Sequence, residues 1–504
     1  MVYNFLNSTG GNMKKIAICF TLLLAQAWAL SCTTPVTISE PGRDVSYPRV
    51  SINEEGEVLA LWVSENPDEK TETVMAATKD HEKKWSAASI SEPAQKIGGL
   101  NSMTDHQGSH FVFWKLKEKD LEGDKLKYFQ FAKKEKNKDW SRAVNVISPE
   151  DQLKYPESAF DSQGNALFFG SQTSQEPWRL EHNVVSVFYS HQKDEVEKTD
   201  IGKKNGVTAA QYLVKNRSGK VFAWWEASYK DSMSVKRLEG AWLEKDDKWS
   251  DPTTFFSFSD NPYTSLEGSV MNSKGDMAII WSLSPQVWED KTLQVITYFD
   301  GLWSEPFDLA VSKHYFYRTK LAMNDGGHIV VSWPQLEKDK EVIYVADKIP
   351  GQTWSSPIAL AELEEAESLK VSIDEQGNIL AAWTVDEGRK EVPYAAYKPV
   401  NQEWGSPVRL SSGARECSRL RIQPNHQGSF VVLWNELQKK QVSIRGASLS
   451  TATKEWTSAT ISPEGQDCGD FQFAFNKKGQ GIIVWKTTWD TEDFYVQVAE
   501  LNVR

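Results

Sequence analysis

An asparagine or aspartate, two residues, a glycine, five more residues and a tryptophan: this outline returns nine times along 504 residues. It begins at Asn53, Asp105, Asp161, Asn216, Asn272, Asn324, Asp374, Asn425 and Asn476, and the glycine stands three positions later in every copy. Six positions beyond the glycine is Trp62, Trp114, Trp225, Trp281, Trp333, Trp383, Trp434 or Trp485; the third copy alone departs, with Gly170. A period near fifty residues means one supersecondary unit used over and over, and it overrides a division of the length into two or three average domains.

The chemistry of the outline is that of a hairpin. Asn and Asp favour the first position of a type I turn because their side chains bond to the backbone ahead, and glycine at the fourth position takes φ > 0 without a Cβ clash. The flanks are strand-like, as in Val58-Leu59-Ala60-Leu61-Trp62 and Ile482-Ile483-Val484-Trp485, rich in apolar and β-branched residues. A second landmark lies between copies: Trp85-Ser86, Trp140-Ser141, Trp249-Ser250, Trp303-Ser304, Trp354-Ser355, Trp404-Gly405 and Trp456-Thr457. Each is expected to open a short fourth strand that ends near an apolar-Ser pair, such as Ile90-Ser91 or Ile461-Ser462. One repeat is therefore four antiparallel strands, A to D, the unit of a β-propeller blade.

The chain ends support a closed ring. Phe494–Val498 matches strand C of a final repeat that stops before its own strand D, while Val36-Thr37-Ile38-Ser39-Glu40-Pro41 resembles a strand D such as Ser89-Ile90-Ser91-Glu92-Pro93. The fold expected is all-β: a single large propeller over residues 36–504, nine four-stranded blades, closed by an N-terminal strand completing the last blade.

Eight tryptophans after the turn and seven at the strand-D landmark are expected to form the core between blades, since a large aromatic at a fixed place in every blade has a structural explanation first. Trp178, Trp288 and Trp489 fall outside these landmarks, in loops joining strands B and C. Those loops share one face of the disc with the D-to-A connections, near which lie Tyr47, Tyr155, Tyr263, Tyr315 and Tyr317. An aromatic rim suits sugar rings or the apolar parts of a protein partner, and Trp178, Trp288, Trp489, Tyr155, Tyr263 and Tyr317 are the ligand-binding candidates. Trp224, which adjoins a landmark inside a strand, and Trp242 are expected to be structural, covering neighbouring loops. Repeat three lacks both landmark tryptophans yet carries Trp178, His182 and His191, which leaves a specialised blade and a decayed one as alternatives. Cys417 and Cys468 both stand 17 residues before their landmark tryptophans, so they occupy the same place in adjacent blades, and a disulfide between them is expected in an oxidising compartment.

The N-terminus carries an export signal. Met13-Lys14-Lys15 is a positive start, Ile16–Ala25 an apolar core and Ala27-Trp28-Ala29 a small-residue cleavage pattern. The signal peptide is assigned to residues 1–31, with Met13 an alternative start, and residues 32–35 to a short tether. Ala29-Leu30-Ser31-Cys32 resembles the lipobox of bacterial lipoproteins, which would make Cys32 the lipidated first residue of the mature chain. Cleavage after Ala29 leaves three mature thiols, and lipidation of Cys32 leaves an even pair. The expected location is the outer membrane or periplasm as a lipoprotein, or outside the cell as a secreted protein.

A formal charge of −12 argues against nucleic acid, whose binding rests on neutralising phosphates with Lys and Arg. Contact with a membrane is expected only through a lipid anchor. No HExxH, CxxC pair, phosphate loop or GxSxG elbow occurs, so no catalytic residue, metal or cofactor is assigned. Histidines are scattered, and His106 and His426 are expected as solvated turn residues. Loop acids such as Glu65, Asp68 and Glu69 are an unspecific calcium signal.

With its Asn/Asp-x-x-Gly-x5-Trp repeats over residues 36–504, the chain resembles exported bacterial β-propeller repeat proteins, similar in outline to sialidase-like and BNR-repeat propellers. The sialidase Asp-box, Ser-x-Asp-x-Gly-x-x-Trp, places its Trp three residues after Gly, whereas the interval here is six, and no arginine triad with a Tyr/Glu pair is evident. The resemblance therefore implies architecture and carries no catalytic residue. The function expected is non-enzymatic binding of a protein or glycan at the cell envelope through loops on one face; the alternative is a glycan-active hydrolase or lyase with two acids at the ring centre.

Overall fold

The computed structural model describes residues 30–503 apart from residues 42, 80–83, 106–107, 120–124, 137, 148–152, 162, 174–181, 191–194, 203–205, 230–231, 245–247, 259–261, 287, 389, 413–415, 439 and 489–493. The chain is a nine-bladed β-propeller, each blade an antiparallel sheet whose strands follow chain order. Blade 1 sets the pattern, with strand A Asp44–Ile52, B Val58–Asn66, C Thr71–Lys79 and D Trp85–Ser89. The later A strands are Lys96–Thr104, Leu153–Phe160, Gly206–Lys215, Tyr263–Met271, Lys320–Met323, Ala366–Ile373, Glu416–Pro424 and Asp467–Phe475. The A strands touch their counterparts in neighbouring blades and so line the axis, as Asp44–Ile52 does with blades 9 and 2.

The turn residue has two tasks, which explains its restriction to Asn or Asp. Asn272 Oδ1 accepts from the backbone N–H groups of Lys274, Gly275 and Asp276 at 3.0, 3.0 and 2.9 Å, closing its own turn. The amide nitrogen links outward: Asn324 Nδ2 donates to Asp374 O and Asn476 Nδ2 to Asn53 O, each at 2.9 Å, so one blade's turn holds the next. In two of the three Asp turns the partner four positions on changes to match: Asp161 Oδ2 accepts from Asn165 Nδ2 and Asp374 Oδ2 from Asn378 Nδ2, at 2.8 and 2.7 Å. The nine turn glycines all have φ between 77° and 97°, where a Cβ is strained. Replacing the fully buried Asn476 by alanine orphans the two turn N–H groups of Lys478 and Gln480 and cuts the link to the Asn53 carbonyl, which keeps its bond from Gly56 N, so a loss of about 2–4 kcal/mol is expected. Asn476→Asp, which keeps the acceptor, should lose clearly less in the same urea titration.

Strand B is buried on both faces, and the nine interfaces between blades each hold an apolar cluster. The landmark tryptophan of each B strand faces the preceding blade, as Trp383 does between blades 6 and 7 and Trp485 between blades 8 and 9. Blade 3 keeps the same four strands, and phenylalanines fill its interface with blade 2: Phe111 stacks on Phe160 at 4.7 Å and Phe113 meets Phe168 edge-on at 5.3 Å. Its missing tryptophan is thus replaced in the core.

The strand-D landmark differs in part from expectation. Trp85 and Trp456 open their D strands, but Trp140 and Trp249 make single bridges to strand C, and Trp354 and Trp404 precede strands that begin at Ile358 and Val408. The serine matters more than the strand. Oγ of Ser141, Ser250, Ser304 and Ser355 each accepts a strand-C backbone N–H at 2.9–3.0 Å, a bond that needs the chain to turn there.

The ring closes through the N-terminus. Val36 and Thr37 pair with Val498 and Gln497, Ile38 N donates to Val496 O at 2.9 Å, and Val496 N donates to Ser39 Oγ at 2.9 Å. Ser91 and Ser462 accept from Val74 N and Ile444 N in the same way, so Ser39 is in register as a true strand-D residue. A further strand, Leu30–Cys32, pairs with Leu501–Val503, where the sequence places the end of a leader and a tether. The expected disulfide is not formed. Cys417 and Cys468 are free thiols buried in successive clusters, between blades 7 and 8 and between blades 8 and 9. Equivalent positions in a ring face successive interfaces, which separates the sulfurs.

Candidate functional site

Sequence periodicity also sets the chemistry of the central channel. Within strand A, pairing with strand B slips by a bulge, for instance between Ser46 and Arg49, Gly98 and Asn101, Glu367 and Lys370, and Ser418 and Arg421. Six residues before the turn Asn or Asp, Tyr47, Gly99, Arg318, Ser368 and Arg419 share φ between 52° and 64°. Four of these five carry a side chain in the left-handed region. Such bulges re-aim side chains and persist where surroundings hold them, often at functional sites.

Two residues further on, four before the turn, the nine blades contribute Arg49, Asn101, Glu157, Tyr212, Gly268, Lys320, Lys370, Arg421 and Gln472. Those described as to exposure face the channel half-buried or, for Asn101, exposed. Cations cluster on one side: Lys320, Lys370 and Arg421 on blades 6, 7 and 8, and Arg49 on blade 1. Burial, reinforced by Lys320 and Arg421, lowers the Lys370 ammonium below its ordinary value. Burial likewise lowers Arg421, and the charges of Arg49 and Arg419 add to the effect although Arg49 lies two blades away. Arg421 Nε is buried with no hydrogen-bond partner, an expensive state for a cationic donor. Asp470 and Glu267 are the carboxylates that reach this group: Asp470 pairs with Arg419 and acts on Arg49, and Glu267 feels Lys320. Five cations against two acids leave this wall positive in an acidic protein.

The opposite wall is different. Glu157 is raised by burial, partly offset by the bond from Leu213 N and the charge of Lys215. Glu267 of blade 5, at the border with the positive wall, is also raised by burial, partly offset by Ser265, Ser282 and the charge of Lys320, and Tyr212, whose hydroxyl donates to Leu266 O at 3.0 Å, lies within the influence of both acids. Towards the turns the channel holds a space of about 470 Å³ lined by Val214, Ser269, Ala322, Ser372 and neighbours. Beyond it the turns themselves cross the axis: Lys477 of blade 9 meets Asp325 of blade 6 at 2.9 Å, and Arg217 of blade 4 meets Glu54 of blade 1 at 3.4 Å. His426, expected to be solvated, is half-buried here with Nδ1 unpartnered, because its turn leans over the axis. His106 lies outside the described residues. The turn end is thus tied across, and the open mouth is the face of the B–C loops and D–A connections.

The rim carries part of the aromatic set that the sequence predicts. Trp288, in the B–C loop of blade 5, is 81% exposed, Tyr317 65% and Tyr263 52%. They belong to one sector: Tyr263 pairs with Ser284 at the root of the Trp288 loop, and Tyr315, 5.9 Å from Tyr317, covers Lys291 at the loop's other root. Trp178 and Trp489 lie outside the described residues, as do the side chains of Tyr155 and His182 and the whole of His191. Trp224 is buried and stacks on Tyr212 at 4.9 Å, and Trp242 packs on Phe222 at 4.9 Å, both as core. Among the described residues no cluster of three or more His, Cys, Asp or Glu is arranged to hold a metal.

The arginine group of Arg49, Arg419 and Arg421 is the feature that sequence reasoning missed. Its signal was available: aligning the nine repeats on their turn residue puts Arg49, Lys320, Lys370 and Arg421 in a single column.

No protein-family model and no curated protein matches the sequence. Among solved structures the chain is similar to an ulvan lyase of polysaccharide lyase family PL25, with 11% identity over 71% of this chain and 92% of that one and a TM-score of 0.39. It is similar to a prolyl endopeptidase, with 13% identity, 78% and 53% coverage and a TM-score of 0.40. A third similarity is to the β-propeller domain of the Trilobed protease from Pyrococcus furiosus, with 12% identity, 73% and 96% coverage and a TM-score of 0.35.

Proposed function

We propose that this protein is an exported binding propeller that holds an anionic glycan at the open mouth of its channel. The observation that carries this reading is the positive column, Lys320, Lys370, Arg421 and Arg49, with Arg421 Nε buried and unpartnered. Like charges gathered in a partly desolvated wall raise the energy of the empty site, and an anion relieves it. Guanidinium groups offer a fork of donors that matches carboxylate and sulfate oxygens. The exposed Trp288, Tyr263 and Tyr317 lie on blade 5 and its connection to blade 6, beside the positive wall. A chain crossing from one to the other would meet flat apolar faces first and charges next. That succession fits a sugar polymer bearing acids better than a protein, which would require a broad apolar patch, and the exposed aromatics here are few and flat.

The test is binding to immobilised polygalacturonate and chondroitin sulfate, with neutral dextran as the reference. Retention of the two acidic polymers that weakens with salt is expected, and Arg421→Ala and Lys370→Ala should each weaken it roughly ten-fold or more, the worth of a charged hydrogen bond. Equal retention by both variants, or equal retention on dextran, overturns the reading. Scission of a bound polymer would replace it by the enzymatic alternative, with Glu157, Glu267 and Tyr212 the groups to substitute.

A further inference from the structure

We propose that the cleft between blades 8 and 9 is a subsite for a single hydroxylated carboxylate, one acidic sugar unit; this rests on the glycan reading above. The cleft opens on the mouth face and holds about 270 Å³, smaller than pockets for drug-sized ligands. Asn435, Arg419, Lys486, Asp467 and Phe494 line it. Asn435 is 4% exposed. Its Nδ2 donates to Gly469 O at 2.9 Å, which fixes the amide orientation and leaves Oδ1 buried without a donor. An orphaned buried acceptor is destabilising until something donates to it. The cations stand across the cleft: Arg419, held in the left-handed region and paired with Asp470, and Lys486, 2.9 Å from Asp44 Oδ1 with its ammonium 3.6 Å above the Phe494 ring. A ligand with a hydroxyl for Asn435 supplies the donor that Oδ1 lacks, its carboxylate shares Arg419 and Lys486 with Asp470 and Asp44, and Arg419 links the cleft to the positive wall.

Calorimetry with galacturonate, and with galactose and acetate as partial ligands, tests this. Galacturonate should bind saturably, with galactose and acetate each at least ten-fold weaker. Lys486→Met and Asn435→Leu should each abolish galacturonate binding, the first variant guarding against a folding defect in the second. No binding of galacturonate, or binding unchanged in Lys486→Met, overturns the subsite. The wild-type protein separates the two proposals: retention of the acidic polymers that falls in Lys370→Ala, with galacturonate ignored, sinks the subsite alone, and wild-type protein that binds neither polymer nor galacturonate sinks the pair.

At the ring closure we infer that processing falls between Ala29 and Leu30 and leaves Cys32 a free thiol. Leu30 is 4% exposed within the cluster between blades 8 and 9. Its socket depends on Gly446, where an added Cβ would lie 2.7 Å from Leu30 Cδ2 and 2.5 Å from Leu433 Cδ2. Cys32 Sγ donates to Ile461 O at 3.0 Å, and burial raises the thiol above its ordinary value. Lipidation at Cys32 would remove Leu30 and empty that socket. The intact mass and N-terminal sequence of the protein recovered from an exporting bacterial host should show a chain starting at Leu30 with Cys32 alkylated after denaturation. A diacylglyceryl cysteine at position 32 as the first residue overturns the inference.

Discussion

Replacing Trp383 by alanine is expected to destabilise the ring by about 3–5 kcal/mol, the range for truncating a large buried aromatic. The indole is fully buried between blades 6 and 7, against Leu369, Ile343 and Ala396. Its Nε1 has no hydrogen-bond partner, so the loss is one of packing and transfer alone and should track the cavity left behind. If the ring melts as a unit, with an unfolding entropy of about 2.1 cal/mol/K per residue, the melting point falls by roughly 3–5 °C. Trp383→Phe should lose well under half as much. A shift below one degree for the alanine variant would mean that the column of tryptophans is not the core of the propeller.

Asp347→Ala is expected to be at least as damaging, by about 3–5 kcal/mol, because it strands a buried charge. Asp347 sits at the end of strand C of blade 6 and is buried. His328 Nε2 lies 2.8 Å from its Oδ2, and Lys398 Nζ of blade 7 donates to both oxygens at 2.8 Å. Ser355 Oγ, from the strand-D landmark, adds a bond at 3.2 Å. Burial alone would push this carboxyl up, but the His328 and Lys398 bonds and the Lys398 charge outweigh it and hold the group at about 2. An unfolded aspartate titrates at about 3.9. The folded value is the lower, so the contribution is full above about pH 4 and is lost as the pH falls towards 2. Wild-type protein should therefore lose stability over that window more steeply than Asp347→Asn. Adding Lys398→Met to Asp347→Ala should recover part of the loss, since it removes the unpaired ammonium; a double variant no better than the single one would contradict the charge argument.

Much of the architecture is legible in the chain because every blade repeats one local solution. Asn272 or Asp161 at the turn, a glycine at φ > 0 and an apolar B strand ending in tryptophan each act over a few residues. The closing strand was legible for the same reason: Ile38-Ser39 copies Ile90-Ser91, and both serines accept the equivalent backbone N–H. What was not legible concerns partners far apart in sequence. The Leu30 socket needs Gly446, and the disulfide expectation failed because matching positions in Cys417 and Cys468 mean adjacent layers rather than contact. The rim tyrosines and Trp288 were found as single exposed aromatics, whereas the positive wall went unnoticed because each cation is ordinary within its own repeat.

Taken alone, the sequence determined the unit, the number of units and the way the ends meet, since turn geometry and strand alternation are properties of neighbouring residues. Only the closed ring decided which side chains share the axis. Arg49 and Arg421 are hundreds of residues apart yet close enough for the charge of Arg49 to add to the burial that lowers Arg421, and Lys477 reaches Asp325 across three blades. Circular closure converts a column in a repeat into a wall in space, and electrostatic energy depends on that distance in space rather than on separation along the chain.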